Sequence, residues 1–177
     1  LYLAIDGHGD PNTSAAYATA IQALYAGAYA IRAALGARTG DDFVVGPLEG
    51  LWTSPDNSVF AARDKDAWDW TMMIPLPDAV SSQDVADGLE RGARKKPGLP
   101  ISTLRALPLV EGRSLQILHV GTYDDEAATL ARLHDEVMPE RGLTFNGPHH
   151  EIYLSDPRRV APERMRTVLR QPVRPVG

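Results

Sequence analysis

The sequence predicts an α+β fold with a duplicated βαββ arrangement: one antiparallel sheet, two long helices on one face and a ligand groove between the repeats. Long segments with helical spacing of apolar residues alternate with short strand candidates that are bounded by turn residues. The order strand, helix, strand, strand occurs twice, which favours the α+β class. We expect a single domain over all 177 residues, with repeats at about 1–97 and 101–177.

In the first repeat, the strongest signal is a long helix. Asn12, Thr13 or Ser14 provides an N-cap and Gly36 a stop, and the apolar stripe should face a sheet. The stripe consists of Tyr17, Ile21, Leu24, Tyr25, Ala28, Ile31 and Leu35. The predicted elements are a strand at 1–6, a turn at 7–11, the helix at 13–35, strands at 43–52 and 68–75 joined by a polar loop, and a polar helix at 82–96.

The second repeat shows the same order. Its predicted elements are strands at 103–110 and 114–121 around the turn at 111–113, a helix from Asp124 or Asp125 to about Glu140, a strand at 149–154 and a last strand at 166–172. Gly142 ends the helix.

The strand at 149–154 carries an unusual polar face. In period-two alternation, Ile152 and Leu154 point to one side, while His149, Glu151 and Tyr153 point to the other. Glutamate is depleted in strands, so a carboxylate here needs either solvent or a polar site. Alignment of the two repeats places Glu49 as the counterpart of Glu151.

Composition excludes several classes of protein. The net charge of −5 argues against a general nucleic-acid binder. The absence of cysteine excludes disulfides and thiolate catalysis. No apolar run approaches the ~20 residues that span a bilayer, and we expect a cytoplasmic protein without a membrane partner. The chain begins at Leu1 within a strand candidate, so we expect further residues before it.

No cofactor or metal is predicted. Residues 7–9 lack the third glycine of a dinucleotide fingerprint, and no GxSxG element is present. His149, His150 and Glu151 are adjacent in a strand and point to alternate faces, so they cannot chelate one metal together. His134 has no HExxH companion.

Several segments together resemble the GyrI-like small-molecule-binding family over nearly the whole chain. They are Gly7-His8-Gly9-Asp10-Pro11, Leu24-Tyr25, Pro47-Leu48-Glu49-Gly50-Leu51-Trp52, Trp68-Asp69-Trp70, Glu111-Gly112, residues 119–126, residues 149–157, Ala161-Pro162-Glu163 and residues 166–173. The resemblance implies a duplicated βαββ fold with a ligand pocket between the repeats. Relatives include effector-binding domains fused to helix-turn-helix regulators as well as stand-alone proteins. We expect the stand-alone type here, since no segment is left over for a DNA-binding motif.

Similar stand-alone proteins include hydrolases that open the cyclopropane ring of DNA-alkylating natural products of the duocarmycin and yatakemycin type. By this resemblance, the two catalytic glutamates fall on Glu126 and Glu151. Thr53 departs from the family, since close relatives often carry a tryptophan there.

Each glutamate also has a structural explanation. A carboxylate in an aromatic pocket is desolvated and suits general acid or base work, or binding of a lipophilic cation, but Glu151 can equally be a solvated or salt-bridged strand residue. Glu126 lies in a first helical turn, where the helix dipole alone favours it. Only the resemblance makes Glu126 a catalytic residue.

The remaining candidates would bind the ligand. They are Glu49, Trp52, Trp70, Tyr25, His119, Tyr123 and Tyr153. The tryptophans and Tyr25 can stack on a flat ligand or simply fill the core. Tyr123 or Tyr153 can donate a hydrogen bond to a developing oxyanion, and His119 can orient a glutamate or be a satisfied core histidine.

The resemblance implies a cofactor-free hydrolase that opens the cyclopropane ring of a flat aromatic genotoxin and so detoxifies it. The alternatives are a module that sequesters aromatic or cationic drugs without chemistry, and a protein that interacts with gyrase.

Overall fold

The computed structural model describes residues 1–54 and 64–177, which form two compact units, residues 1–109 and 110–177. Both units combine helices with antiparallel strands, so the predicted α+β class is confirmed. Most of the polar loop predicted between the second and third strands lies outside the described residues.

Among its described residues, the first unit has four strands in the order β4-β1-β3-β2 and two α-helices. Its elements are β1 (Tyr2–His8), α1 (Ala15–Thr39), β2 (Leu48–Thr53), β3 (Asp69–Pro75), α2 (Ser82–Lys95) and β4 (Arg105–Leu107).

The long helix α1 begins as predicted but extends past its predicted end. The Ser14 hydroxyl accepts a hydrogen bond from the Tyr17 amide. Gly36 lies inside the helix, and the left-handed residue that ends it is Gly40, with φ of 80°. In the last turn, Arg38 binds both carboxylate oxygens of Asp84, at 2.8 and 2.7 Å, and this ties α1 to the start of α2.

Strand β1 is longer than predicted, because Gly7 and His8 continue it. Gly7 pairs with Trp70 of β3. A Cβ atom at Gly7 would lie 2.0 Å from the Trp70 ring, so the missing side chain lets the indole lie directly on the strand. The glycine that was expected to make a turn therefore serves packing.

Two other strands are shorter than predicted. Strand β2 begins only at Leu48, after Gly46-Pro47, since proline cannot donate to a strand ladder. Strand β4 is limited to three residues by the 3₁₀ turn Ile101–Thr103 before it and by Pro108 after it. It pairs with β1 rather than with the strand that follows it along the chain.

The second unit has the strand order β7-β8-β5, and β6 also pairs with β8. Its elements are β5 (Ser114–Val120), a 3₁₀ turn (Tyr123–Asp125), α3 (Glu126–Ala131), a π-helical segment (Arg132–Val137), α4 (Met138–Glu140), β6 (Leu143–Phe145), β7 (His149–Tyr153) and β8 (Arg166–Pro175).

The second long helix is continuous but changes its hydrogen bonding along its length. The predicted helix up to Glu140 becomes π-helical at Arg132–Val137. Pro139 lies just beyond and lacks an amide hydrogen, so the regular ladder cannot be completed there. Gly142 follows the helix with φ of 62°, as predicted.

The last strand extends to Pro175 rather than 172, because the unpredicted β6 pairs with its end. Strand β6 is not predicted from the sequence, because its three residues are too few to show a period-two pattern. No helix within the described residues is both long enough and apolar enough to cross a membrane.

Candidate functional site

The polar face of β7 lies under the helix of the second unit. Tyr153 pairs with Thr167 of β8, and Thr167 pairs with His119 of β5. Paired residues share a sheet face, so these three side chains form a row across the sheet. Thr129 of α3 contacts His119, which places α3 over this row.

Glu126, the first residue of α3, is buried against this face with only 5% of its surface exposed. Burial, and then the charge of Glu151, raise the pKa of its carboxyl to about 8. The nearby Thr167 hydroxyl lowers the pKa of Glu126, although its distance and angles do not meet the criteria for a hydrogen bond. Glu126 therefore holds its proton at neutral pH.

The carboxyl of Glu126 has one oxygen without a hydrogen-bond partner in the described part of the chain. Among the described residues, Oε1 of Glu126 and the hydroxyl of Thr167 are buried without a hydrogen-bond partner. A buried polar group without a partner lowers the stability of the folded state by about 1–3 kcal/mol, unless water or a ligand forms the missing hydrogen bond. The two atoms therefore offer a buried donor and acceptor to a bound molecule.

Glu151 is held by two neighbours on its own strand. The Tyr153 hydroxyl donates a hydrogen bond of 2.7 Å to Oε2. Nε2 of His149 lies 3.3 Å from Oε1. The predicted alternation of β7 is thereby confirmed, because these three side chains share one face.

Tyr123 completes this cluster from the 3₁₀ turn before α3. Its ring meets the Tyr153 ring edge to face, with centroids 5.6 Å apart. Burial, and then the charges of Glu126 and Glu151, raise the pKa of Tyr123 to about 12. Its phenol keeps its proton, and 39% of the residue is exposed, so it can donate to a ligand.

His119 is a core histidine in this structure. Its ring nitrogens lie 3.3 Å from the Thr129 hydroxyl and 3.1 Å from the Thr122 carbonyl. These contacts attach the helix start to β5, so His119 is not placed to orient a glutamate. No group of side chains within residues 1–54 and 64–177 is arranged to hold a metal ion.

Trp52 and Trp70, two of the predicted aromatic residues, belong to a cluster in the first unit. Trp52 and Trp70 pair across β2 and β3 and are 6% and 3% exposed. Tyr17 of α1 packs edge to face on Trp70, with centroids 5.1 Å apart, and stacks near Trp52. This arrangement supports the packing explanation for Trp70. Tyr25 lies further along α1 and is half-buried.

Glu49 does not share a face with these tryptophans. It pairs with Met73, which pairs with Ala4, on the side of the sheet opposite to Trp52. It is 6% exposed, and its row adjoins an apolar cluster of Ala4, Leu51 and Met73. The two glutamates therefore do not occupy equivalent positions on their sheets, although the alignment of the repeats predicted that they would. Glu151 faces the helix of its unit, whereas Glu49 faces away from α1.

Sequence reasoning missed three contributors to the site. Thr167 lies on the buried face of β8, which strand alternation could have indicated. Strand alternation places His149 on the face of Glu151 but assigns it no role, and His134 has no metal-binding motif to mark it. Only the fold brings these histidine rings together, with centroids 6.3 Å apart.

Comparison with known proteins agrees with this architecture. The model of the GyrI-like small molecule binding domain matches residues 2–174. None of the curated proteins matches the chain.

Solved structures from Listeria innocua are similar over nearly the whole chain. An uncharacterized conserved protein is 39% identical, with a TM-score of 0.88, over 98% of this chain and 87% of its own. A hydrolase is 38% identical, with a TM-score of 0.82, over 98% of this chain and 86% of its own. The chain belongs to the GyrI-like small-molecule-binding domain family.

Proposed function

We propose that the protein is a cytoplasmic, cofactor-independent hydrolase that opens the cyclopropane ring of flat aromatic DNA-alkylating natural products and so detoxifies them. The observation that carries this proposal is the carboxyl pair: Glu126 holds a proton beside Glu151, in a buried position with one unsatisfied oxygen. A pair of neighbouring carboxyls is a common arrangement for activating water in hydrolysis.

The similar hydrolase from Listeria supports the general class of reaction. The negative charge of the protein fits a small-molecule substrate rather than DNA itself. The aromatic edges of Tyr123 and Tyr153 suit a flat ring system.

In the proposed reaction, Glu151 removes a proton from water and Glu126 orients that water. The new C–O bond forms at the cyclopropane methylene as the ring C–C bond breaks. The electron pair moves through the conjugated dienone to its oxygen. The proton that Glu151 removed returns through solvent to this oxygen, which becomes a phenol, and Glu151 is restored as the carboxylate. One water is added, and no other reactant is needed.

The developing oxyanion needs a hydrogen-bond donor. Tyr153 already donates to Glu151, so we assign this part to Tyr123, whose phenol is protonated and partly exposed.

The direct test is incubation with a spirocyclopropane alkylator, followed by mass spectrometry of the small molecule. The expected product is heavier by one water, formed faster than by solvolysis in buffer. Glu126→Gln and Glu151→Gln should each lose turnover and keep binding. Unchanged compound retained on the protein would instead indicate a sequestering module and overturn the proposal.

A further inference from the structure

The carboxylate of Glu151 has a separate neighbour at each oxygen. Tyr153 donates to Oε2, and Nε2 of His149 lies 3.3 Å from Oε1. The side chains of His149 and Glu151 are only 15% and 14% exposed, so water competes little for this contact.

Both ring nitrogens of His149 are buried without a hydrogen-bond partner among the described residues. Native proteins rarely leave such atoms unsatisfied, because the cost is about 1–3 kcal/mol. The 3.3 Å contact does not meet hydrogen-bond geometry. Contacts of this kind often tighten only when substrate is bound.

The π-helical segment places a second histidine against His149. The His134 ring meets the His149 ring edge to face at 85°, and Phe145 packs on His134 with centroids 5.0 Å apart. Burial, and then His149, lower the pKa of His134, while Asp135 and Gln171 act weakly in the opposite direction. His134 is thus a neutral side chain that packs against the His149 ring. Single π turns are frequent at functional sites.

We propose that His149 is a positioning residue for Glu151, donating its Nε2 hydrogen to Oε1 so that, together with Tyr153, it fixes the carboxylate toward the attacking water. The titratable groups that face this contact are Glu151 and Tyr153 on its own strand and His134 on the π-helical segment. Glu126 and Tyr123, at the start of the helix, also act on Glu151. The inference rests on the proposed function, in which Glu151 is the base.

The kinetic test compares His149→Phe with His149→Gln on the spirocyclopropane alkylator. Phenylalanine keeps the ring shape and removes the donor, and a glutamine amide restores a donor near the Nε2 position. We expect His149→Phe to lower kcat about tenfold to a hundredfold with KM nearly unchanged, since misplacement of a reacting group has this scale of effect. His149→Gln should recover most of kcat.

The matched control is His8→Phe, which removes an exposed histidine 2.8 Å from Asp69 in the first unit and should leave kcat unchanged. A His149→Phe protein with wild-type kcat would overturn the proposal. So would equal losses in the phenylalanine and glutamine variants.

A second measurement needs no turnover and uses the unaltered protein. Nitrogen-15 NMR of the histidines should show the His149 tautomer with its proton on Nε2, and Glu151→Gln should shift that resonance. A proton on Nδ1 would overturn the proposal. If the wild type hydrolyses nothing, the proposed function fails, and this spectrum alone decides the position of His149.

Discussion

The two units use the helix-covered face of a similar antiparallel sheet in opposite ways. In the first unit this face holds an aromatic cluster, Trp52 and Trp70 under Tyr17, in which Nε1 of Trp70 is buried without a hydrogen-bond partner among the described residues. In the second unit it holds Glu126, Glu151 and Thr167, with polar atoms buried and unsatisfied.

This difference separates stability from chemistry within one chain. Aromatic burial is a large favourable term for folding, whereas an unsatisfied buried carboxyl opposes it. A protein retains such a costly group where it has a function, and perturbed carboxyls concentrate at active sites. Variants in the first unit should therefore reduce stability, whereas variants at the carboxyls of the second unit should reduce turnover.

The largest expected effect is on turnover in the second unit. Glu151→Gln removes the proposed base and should lower kcat by about 10²–10⁴-fold, the usual contribution of a general base. The measurement is the rate of alkylator hydrolysis. Glu49→Gln is the matched control, since Glu49 faces away from α1, and it should keep kcat. Equal losses in the two variants would erase the distinction between the faces.

In the first unit the largest effect should be on stability. Trp70→Ala should lower the free energy of unfolding by about 3–5 kcal/mol, because it empties a packed aromatic site. Urea denaturation measures this loss. Gly7→Ala should destabilise the same site, since its new methyl would collide with the Trp70 ring. A stable Gly7→Ala protein would contradict this account of β1.

Glu126→Gln should raise the free energy of unfolding at alkaline pH, whereas Trp70→Ala lowers it. The folded-state pKa of Glu126 is about 8 against an ordinary value of 4.5, so the folded state keeps a proton that the unfolded chain loses. This group's contribution is therefore most favourable below pH 4.5 and is lost as the pH rises to about 8.

Glutamine stays neutral at every pH and removes this loss. Glu126→Gln should therefore exceed the wild type by about 1–3 kcal/mol at pH 8.5 and match it near pH 4. Thermal unfolding at the two pH values measures the difference. A variant that is less stable at pH 8.5 would contradict the assigned protonation.

The smallest expected effect is at Tyr153. Tyr153→Phe removes the 2.7 Å hydrogen bond to Glu151 and should lower kcat by about tenfold, since a hydrogen bond to a charged group contributes about 1.5 kcal/mol or more. Steady-state kinetics measure it. Tyr29→Phe serves as the control, since Tyr29 of α1 is 53% exposed, and it should have no effect on kcat.

Strand alternation predicted the shared face of Glu151 and Tyr153 correctly, because period two fixes which side chains point together. It could not assign Glu49, since a shift of one residue between the repeats exchanges the two faces of a strand. Burial of Glu126 was also beyond the sequence, because the first turn of a helix suits an exposed glutamate equally well. The contact of His134 with His149 depends on a π-helical turn, and no pattern of residues in the sequence predicts that turn.

The central claim is that Glu126 carries a proton beside Glu151 at neutral pH. Carbon-13 NMR of the glutamate carboxyls, with the Glu126 signal assigned by its loss in Glu126→Gln, tests this claim directly. We predict a titration midpoint for Glu126 near pH 8, which falls in Glu151→Gln because the neighbouring charge is gone. A midpoint near 4.5 in the wild type would contradict the account.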